Sequence, residues 1–499
     1  MSTTDLVLGV DIGTSDTKVL ATTLDGREIA WVAAATRWNT RAGSMTETDP
    51  NQLYTAVLAL AEQAVAAAQR LTGPVRVRGI ATTGLGEAGV LLDRQHRPVY
   101  PIIAWFDPRG SQEFQQLDGT VLDQFRGRTG LPLSPLASIA KLAWMRGQGT
   151  NLAGHTWLSV PEYVAYRLTD TLAAEYSLAA RTGLLDQDTS AVWPAAVHAL
   201  GADNQILPAI VNAGTPLGRV SPGTGKVPEV LVDALVTVAG HDHPVAAVGS
   251  GALGPDVAFD SFGTAQVLLR TTQGLDYPGR ERLALVGINT VHHVMGDRRV
   301  LVAGTRSGLL LRRTLNLLGI TDNVGREALD AAAMAESADS TGIAVSGAHN
   351  DDGTLRITVD TDTSSPAGLW LAVLAHGTQE VDSLLDVMAA EVGPFAETVV
   401  AGGWTRMRSV REAKQKALPA VRFANRAQAG AFGAAMFAAH AVTVAEQLSA
   451  AGDPSGNAVD HHRRQMRKQN PATAFNSHRP RAPRPTGRHH GMCECDRTK

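Results

Sequence analysis

A strand, a glycine-containing turn and a second strand occur near the start of the chain and again just after its midpoint. Residues 5–12 (DLVLGVDI) predict a buried strand, and TKVLATTL predicts its partner after a Gly-Thr-Ser turn. Residues 256–270 (DVAFDSFGTAQVLLR) repeat this order around Gly263-Thr264. Two halves that open alike predict a duplicated α/β fold with a cleft between them, divided in the Gly- and Pro-containing segment near 250–256.

The remaining periodicity fits the same class of fold. Further strands are predicted at RGIATTG, GVLLD, RPVYPII, LVTVAG and ETVVAG. Apolar residues at helical spacing predict helices over 50–71, 138–146, 161–168, 306–318, 366–392 and about 426–442. Strands alternating with helices over 499 residues indicate two or three domains.

Composition narrows the cellular setting. No run of about 18 apolar residues is found, so no membrane span is expected. The N-terminus lacks the basic and apolar regions of a secretory signal. The only cysteines, Cys493 and Cys495, lie in the last seven residues, which excludes a disulfide framework and predicts a cytoplasmic protein.

Charge is divided unevenly along the chain. From His461 onward ten Lys and Arg face two Asp and Glu, a net +8, so the remainder carries −11 of the total −3. An acidic body predicts no nucleic-acid partner, because phosphate contacts need clustered cations. The tail, rich in Pro, His, Asn and Gln, is predicted to be disordered. Its side chains at His489, His490, Cys493 and Cys495 could bind a metal or simply be solvated.

The first turn is the strongest candidate for chemistry. Gly13 lets the backbone approach an anion, and the hydroxyls of Thr14 and Ser15 can donate to phosphate oxygens. Asp11 ends a strand where it could hold Mg²⁺, and Lys18 adds a nearby positive charge. An ordinary hairpin turn is the alternative reading. A second turn at Gly263-Thr264 favours phosphate binding, because the two turns could grip a triphosphate from both sides.

A further candidate is the GHDHP segment at 240–244. Asp242 follows a strand and is placed to accept a proton from an attacking hydroxyl, although a turn-capping Asp is also compatible. A His-Asp-His metal site is disfavoured, because no further ligands recur at suitable spacing nearby. The G-x-G-x-x-G matches at 84–89 and 249–254 do not open a helix after a strand, and no P-loop motif occurs.

Five ordered motifs resemble the FGGY family of carbohydrate kinases, within the larger group of sugar kinases, Hsp70-type chaperones and actins. They are Asp11–Lys18, WFDPR at 105–109, GHD at 240–242, SFGTA at 261–265 and AGGWTRM at 401–407. The resemblance covers about residues 5–445. It implies two duplicated actin-like (ribonuclease H-like) domains with a nucleotide and sugar cleft between them. Residues 1–250 would bind sugar and phosphate, 251–445 would bind nucleotide, and 446–499 would form the tail.

The resemblance also implies roles for matching positions, with ATP and Mg²⁺ as cofactors. Asp242 would be the general base, and Asp11 the metal ligand. Phosphates and adenosine would be held by Asp11, Gly13, Thr14, Ser15, Lys18, Gly263, Thr264, Gly402 and Gly403, with the helix from Gln428 to Ala435 as a wall. The sugar site would be lined by Glu87, Trp105, Asp107, Asp242 and His243.

Substrate choice is where the sequence departs from well-known members. Glu87 occupies the place of a xylulokinase His, Gly86 replaces the Arg of the glycerol kinase Arg-Glu pair, and Leu136 replaces a Tyr. Glycerol is therefore disfavoured, and a ketose such as xylulose, a deoxyketose such as fuculose, or another polyol is expected. An Hsp70- or actin-like ATPase without an acceptor and a non-catalytic sugar sensor are the alternatives. The oligomeric state is left open, with a homodimer among the options.

Overall fold

The computed structural model describes residues 3–221, 227–263, 265–336, 342–347, 354–360 and 364–450. Within these ranges the strands are β1 (Thr4–Ile12), β2 (Asp16–Thr23), β3 (Glu28–Ala35), β4 (Asn39–Thr40), β5 (Thr46–Thr48), β6 (Val75–Gly84), β7 (Gly89–Leu92), β8 (Ile102–Ile103), β9 (Thr156–Ser159), β10 (Ala174–Glu175), β11 (Leu185–Asp186), β12 (Ala191–Val192), β13 (Ile210–Val211), β14 (Gly218–Arg219), β15 (Leu235–His241), β16 (Val257–Phe262), β17 (Gln266–Thr272), β18 (Asn289–His292), β19 (Arg299–Thr305), β20 (Ile343–Gly347), β21 (Leu355–Val359), β22 (Glu397–Ala401) and β23 (Val421–Phe423). The predictions for Thr264 and for the tail beyond residue 450 lie outside the described residues.

The α-helices of the same ranges connect or cover these strands. They are α1 (Pro50–Thr72), α2 (Ser111–Gln115), α3 (Gly119–Thr129), α4 (Ser138–Gly147), α5 (Val160–Thr169), α6 (Tyr176–Ala179), α7 (Pro194–Ala199), α8 (Asp242–Gly249), α9 (Tyr277–Leu285), α10 (Ser307–Leu317), α11 (Asn323–Ala335), α12 (Pro366–Val392), α13 (Arg408–Ala417) and α14 (Ala429–Ala450). Short 3₁₀ helices are formed by Ala42–Ser44, Asn204–Ile206, Glu229–Leu231 and Gly403–Arg406.

Two mixed six-stranded sheets share one arrangement. The first has the order β14-β15-β6-β1-β2-β3, and the second has the order β18-β19-β17-β16-β22-β23. In each sheet an opening antiparallel hairpin, β1–β2 or β16–β17, continues antiparallel on one side into β3 or β19. On the other side parallel strands follow, β6 and β15 or β22 and β23. This common topology confirms the predicted duplicated α/β fold.

Helices cover both faces of the first sheet. Successive residues of a strand point to opposite faces, so Leu6 and Leu8 pack in one core with α1, whereas Val7 packs in another with Ala434 of α14. Because neither face meets water, β1 reads as a continuous apolar run rather than an alternating one.

The helix α14 lies on the first sheet although it follows the second sheet in the chain. It packs against β1, β6, β15 and α8. A Cβ atom on Gly9 would lie 1.8 Å from the carbonyl oxygen of Ala431, so only glycine allows this backbone contact. Ala429–Ser449 is apolar and long enough to cross a membrane, but half of it is buried in the protein, as in a core helix. The division of the chain at residues 250 and 445 stays a prediction.

The element predictions were most accurate where a long periodic segment stood alone. The predicted helix over 366–392 is α12, and the one over 50–71 is α1, one residue longer. The strand predicted at RPVYPII was wrong for most of its length, since it contains only the short strand β8 at Ile102–Ile103 and an isolated bridge from Pro98 to Leu92. Pro98 and Pro101 have no amide proton to donate to a ladder, which explains the interruption.

Candidate active site

Three parallel strands of the first sheet end side by side. Ile12 at the end of β1 pairs with Gly84 at the end of β6, and Gly84 pairs with His241 at the end of β15. The segments that follow these strands carry the first turn, Glu87 and Asp242. The carboxyl ends of parallel strands form the crevice in which α/β proteins bind their ligands. The fold therefore gathers three separate sequence predictions at one edge.

The first turn is held by its carbonyl groups. The oxygens of Gly13 and Thr14 accept hydrogen bonds from Thr36 Oγ1 and Trp38 Nε1, both at 2.8 Å. The oxygen of Ser15 accepts from the amide of Thr36 at 2.9 Å. All three carbonyls thus point toward one neighbouring segment. Backbone amides on the opposite side of such a turn form a concave donor surface for an anion.

Asp11 stands at the base of this turn, opposite Lys18 in the hairpin. Burial, opposed by Lys18 and assisted by the nearby charge of Asp242, raises the pKa of Asp11 to about 6. A Cβ atom on Gly430 would lie 2.5 Å from Asp11 Oδ2, so the first turn of α14 touches this carboxylate. Two predicted residues, Asp11 and Asp242, are therefore electrostatic neighbours.

Asp242 is the first residue of α8, directly after β15. Burial raises the pKa of Asp242, His243 opposes this, and the charge of Glu87 adds to it. The amide of His243 donates to Asp242 Oδ1 at 2.7 Å, and His241 Nε2 lies 3.3 Å from the same oxygen. Burial also lowers the pKa of His241 well below its usual value, so this ring stays neutral. A carboxylate with a raised pKa accepts a proton more readily near neutral pH.

Arg181 is a site residue that the sequence did not reveal. Its Nε donates to Glu87 Oε1 at 2.8 Å, and its Nη2 contacts the same oxygen. Its Nη1 donates at 3.0 Å to Oδ1 of Asn289, on β18 of the second sheet. A Cβ atom on Gly86 would lie 2.6 Å from Arg181 Cγ. The glycine therefore makes room for a guanidinium beside Glu87 that comes from 94 residues away.

The side chains of Trp105 and Asp107 lie in different environments. Trp105 Nε1 donates to Thr14 Oγ1 at 3.0 Å, which joins this residue to the first turn. The Asp107 carboxylate is fully buried and accepts from Arg109 Nε at 2.9 Å and from the amide of Thr46 at 2.5 Å. Its predicted contact with a sugar stays a prediction, and this packing argues against it. The neighbouring Arg109 was the signal in the sequence for an internal ion pair.

The second sheet presents a matching edge. Gly263 donates to the carbonyl of Ala265 at 3.1 Å, as Gly13 does to the carbonyl of Asp16 at 3.1 Å. Gly402 has φ +108°, and a Cβ atom there would lie 2.2 Å from the oxygen of Phe262 at the end of β16. At Gly403 a Cβ atom would meet nothing within 4 Å. The backbone at this edge is therefore packed against Phe262 at Gly402 and open at Gly403.

The acidic groups suit a magnesium ion better than a dedicated metal cage. Over the described ranges, no group of three or more His, Cys, Asp or Glu side chains could hold a metal ion. Mg²⁺ typically keeps several waters and uses one or two carboxylates together with substrate phosphates. A single carboxylate below a phosphate-type turn, as at Asp11, fits that donor set.

Comparison with known families gives one match. Residues 6–249 match the model of the FGGY family of carbohydrate kinases, N-terminal domain. The chain is 24% identical over 287 residues to an L-fuculokinase of Salmonella typhi, covering 55% of this chain and 60% of that protein. It is 25% identical over 267 residues to a xylulose kinase of Staphylococcus epidermidis, covering 53% of each. The chain thus spans roughly half the length of the curated relatives it matches.

Solved structures resemble the chain over more of its length. A xylulose kinase from Rhodospirillum rubrum superposes with a TM-score of 0.75 at 21% identity, covering 91% of each chain. A glycerol kinase from Plasmodium falciparum, solved with ADP, gives 0.77 at 17% identity, covering 89% of this chain and 91% of that one. At these identities the likeness establishes the fold alone, and the fold is that of two-domain sugar kinases.

Proposed function

We propose that this chain, which belongs to the FGGY family of carbohydrate kinases through residues 6–249, transfers the γ-phosphate of ATP to a primary hydroxyl of a small sugar or polyol. The observation that carries the proposal is the shared edge of β1, β6 and β15. It places a phosphate-type turn, the Glu87–Arg181 pair and a raised-pKa carboxylate side by side. The ADP in the related glycerol kinase structure supports ATP as the donor.

In the proposed reaction Asp242 accepts the proton of the acceptor hydroxyl while the hydroxyl oxygen attacks the γ-phosphorus. The bond from the γ-phosphorus to the bridging oxygen breaks, and ADP leaves with that oxygen. The amides of the first turn would hold the phosphates, and Gly402 and Gly403 would let adenosine approach the backbone. Lys18 would offset negative charge as it develops. Mg²⁺ near Asp11 would neutralise phosphate charge when bound. Burial raises the pKa of Asp242, and the charge of His243 opposes this effect and so favours the ionised form of the base.

The acceptor site supports a hydroxyl-rich substrate. Glu87 offers carboxylate oxygens whose negative charge is already balanced by Arg181. A balanced pair can accept from and donate to neighbouring hydroxyl groups without requiring a charged ligand. We therefore place a ketose such as xylulose, a deoxyketose such as fuculose, or another polyol first, ahead of an acidic sugar. The cytoplasm remains the expected compartment.

The test is a coupled assay of ADP release over xylulose, fuculose, gluconate, glycerol and a no-sugar control. We expect at least one neutral sugar to stimulate ADP release strongly. Sugar-independent hydrolysis would favour an ATPase, and sugar binding without turnover would favour a sensor.

The same assay tests the base. Asp242→Asn should lower turnover by about 10²–10⁴-fold while ATP binding stays near that of the wild type. Asp123→Asn changes an exposed carboxylate on α3 and is the matched control. Near-normal turnover of Asp242→Asn would remove this residue as the base.

A further inference from the structure

The peptide group between Gly240 and His241 forms hydrogen bonds with buried side chains on both sides. Thr83 Oγ1, on β6, donates to the carbonyl oxygen of Gly240 at 2.7 Å. Ser177 Oγ, on α6, accepts from the amide of His241 at 2.9 Å. Thr83 and Ser177 are fully buried. The two hydroxyls therefore fix the plane of the last peptide before Asp242.

The direction of the Ser177 bond is set by a buried acid. Glu175 Oε2 accepts from Ser177 Oγ at 2.5 Å and from the amides of Ser177 and Leu178 at 2.9 and 3.1 Å. A hydroxyl has a single proton, and here it goes to Glu175. The lone pairs of the oxygen are consequently directed to the amide of His241.

Close packing leaves this peptide no room to turn. Gly240 has φ +110°, and a Cβ atom there would lie 2.6 Å from Ser177 Oγ, 2.6 Å from Val294 Cγ1 and 2.8 Å from Glu175 Oε2. The backbone at Gly240 is thus in close contact with the side chains of Ser177 and Glu175. Val294 follows β18 of the second sheet, so both halves take part in the contact.

The helix that begins at Asp242 has no cap of the usual kind. His241 is its N-cap residue, and the His241 side chain makes no capping hydrogen bond to α8. Side-chain caps ordinarily satisfy the first amides of a helix and fix its start. Here the start of α8 is fixed by the hydrogen bonds of the peptide group 240–241 with Thr83 and Ser177, which we call the peptide clamp.

We propose that Thr83 and Ser177, with Glu175 behind Ser177, are positioning residues that aim the Asp242 carboxylate at the acceptor hydroxyl. The proposal rests on the assignment of Asp242 as the base. Rotation of the peptide 240–241 changes the direction in which α8 starts, and displacement of a base from its partner slows proton transfer. Substrate binding does not depend on that angle to the same degree, so turnover should suffer more than affinity.

The chain offers a matched set of variants on one strand. Thr83→Val removes the donor and keeps the shape, and Thr83→Ser keeps the donor. Thr82→Val is the control, because Thr82 Oγ1 is equally buried but donates to the carbonyl of Pro161 at 2.9 Å, away from the clamp.

We expect kcat of Thr83→Val to fall at least tenfold, with the KM for ATP within twofold of wild type. Thr83→Ser should retain most of the turnover. Thr82→Val should lower the melting temperature about as much as Thr83→Val and leave kcat within twofold. A Thr82→Val enzyme as slow as Thr83→Val would overturn the proposal, since the loss would then be structural.

Ser177→Ala gives a second arm if Thr83→Val does not fold, with the same expected pattern of lowered kcat and unchanged KM for ATP. Asp242→Asn, measured alongside, separates the two levels of inference. If Asp242→Asn is inactive but Thr83→Val and Ser177→Ala keep full kcat, the proposed positioning role of Thr83 and Ser177 is wrong, and Asp242 is retained as the proposed base. If Asp242→Asn is active, the proposed base is wrong, whatever the clamp variants do.

Discussion

The two opening hairpins have the same backbone plan and place their acids on opposite faces. In β1 the acid is Asp11, two residues before the turn glycine, and it lies at the cleft edge near Asp242. In β16 that position is Ser261, and the acid is Asp260, one residue earlier. Because side chains alternate along a strand, a shift of one residue moves the acid from the cleft to the interior. The two turns share one form, and the acid that precedes the turn is shifted by one residue between them.

Asp260 is fully buried and surrounded by second-half residues. Its Oδ1 accepts from Gln266 Nε2 at 2.7 Å, and its Oδ2 lies 2.9 Å from Lys414 Nζ, an ion pair without the alignment of a good hydrogen bond. Lys414 Nζ also lies 4.9 Å from the centre of the Phe262 ring, the residue before Gly263. The second turn is thus supported from beneath by a closed pair of charges. In the first hairpin Asp11 and Lys18 lie opposite each other, and both residues are half-buried.

The largest effect should come from Asp260→Asn. Removing Asp260 takes the paired carboxylate from the buried Lys414 cation and leaves its electrostatic interaction with Glu380; loss of one partner of a buried ion pair typically costs about 3–5 kcal/mol in free energy of unfolding. Unfolding in urea, followed by fluorescence and circular dichroism, measures the loss. The double variant Asp260→Leu/Lys414→Met is the control and should recover most of the stability, because apolar replacement of both charges is often neutral. A small loss in Asp260→Asn would contradict the view that this acid serves packing.

Asp11→Asn should show the reverse pattern. We expect sugar-stimulated turnover to fall by about 10²–10³-fold, the range for loss of one electrostatic group at a reacting phosphate or oxyanion. The melting temperature should not fall, because burial disfavours the charged form of Asp11 and asparagine is neutral. Asp16→Asn, an exposed acid in the same turn, is the control and should keep its turnover. A destabilised but active Asp11→Asn enzyme would contradict the proposed difference between Asp11 and Asp260.

The contrast between Asp11 and Asp260 can also be tested through the pH dependence of stability that Asp11 causes. The pKa of Asp11 is about 6 in the folded chain and about 4 when unfolded, so its contribution favours folding below pH 4 and is lost as the pH rises through 6. We expect Asp11→Asn to gain about 1–2 kcal/mol relative to wild type between pH 4 and pH 7 in the absence of Mg²⁺. The melting temperatures of both proteins across that range are the measurement. A constant difference would show that Asp11 does not titrate there.

The smallest effect concerns the carbonyl support of the first turn. Thr36→Val removes the donor to the Gly13 oxygen, a bond worth about 1 kcal/mol, so the KM for ATP should rise about fivefold. Thr40→Val removes a hydroxyl from the same segment, whose partner is Thr46 rather than the turn, and should leave the KM unchanged. Equal behaviour of the two variants would mean that the hydrogen bond to the turn does not organise the phosphate site.

Local patterns predicted the hairpins, the long helices and the strand ends, because these depend on turn chemistry and apolar spacing within one segment. For Asp11, Glu87 and Asp242 the family resemblance implied neighbouring roles, at the phosphates and in the sugar site. Arg181 could not be found in this way. Its contacts with Glu87 and Asn289 join segments 94 and 108 residues apart, and the second of them reaches β18 of the second sheet.

Other features were visible in the sequence but open to more than one outcome. An Asp two residues before an Arg, as at Asp107 and Arg109, suits both a substrate site and an internal ion pair; the structure shows the ion pair, and the sugar contact of Asp107 stays a prediction. The Ala-rich segment that became α14 has apolar residues on all sides. Its periodicity indicated a buried helix without indicating which sheet would bury it.

The position of α14 has a consequence for the order of events on the ribosome. The chain emerges from its N-terminus, yet one face of the first sheet is completed only by residues 429–450. Until they appear, Val7, Ala81 and Leu235 lack the partners that bury them. The first half therefore completes its folding only after the second half has been synthesised, and it exposes an apolar face until then. Its final folding step should coincide with completion of the candidate active site, because the same helix touches Asp11.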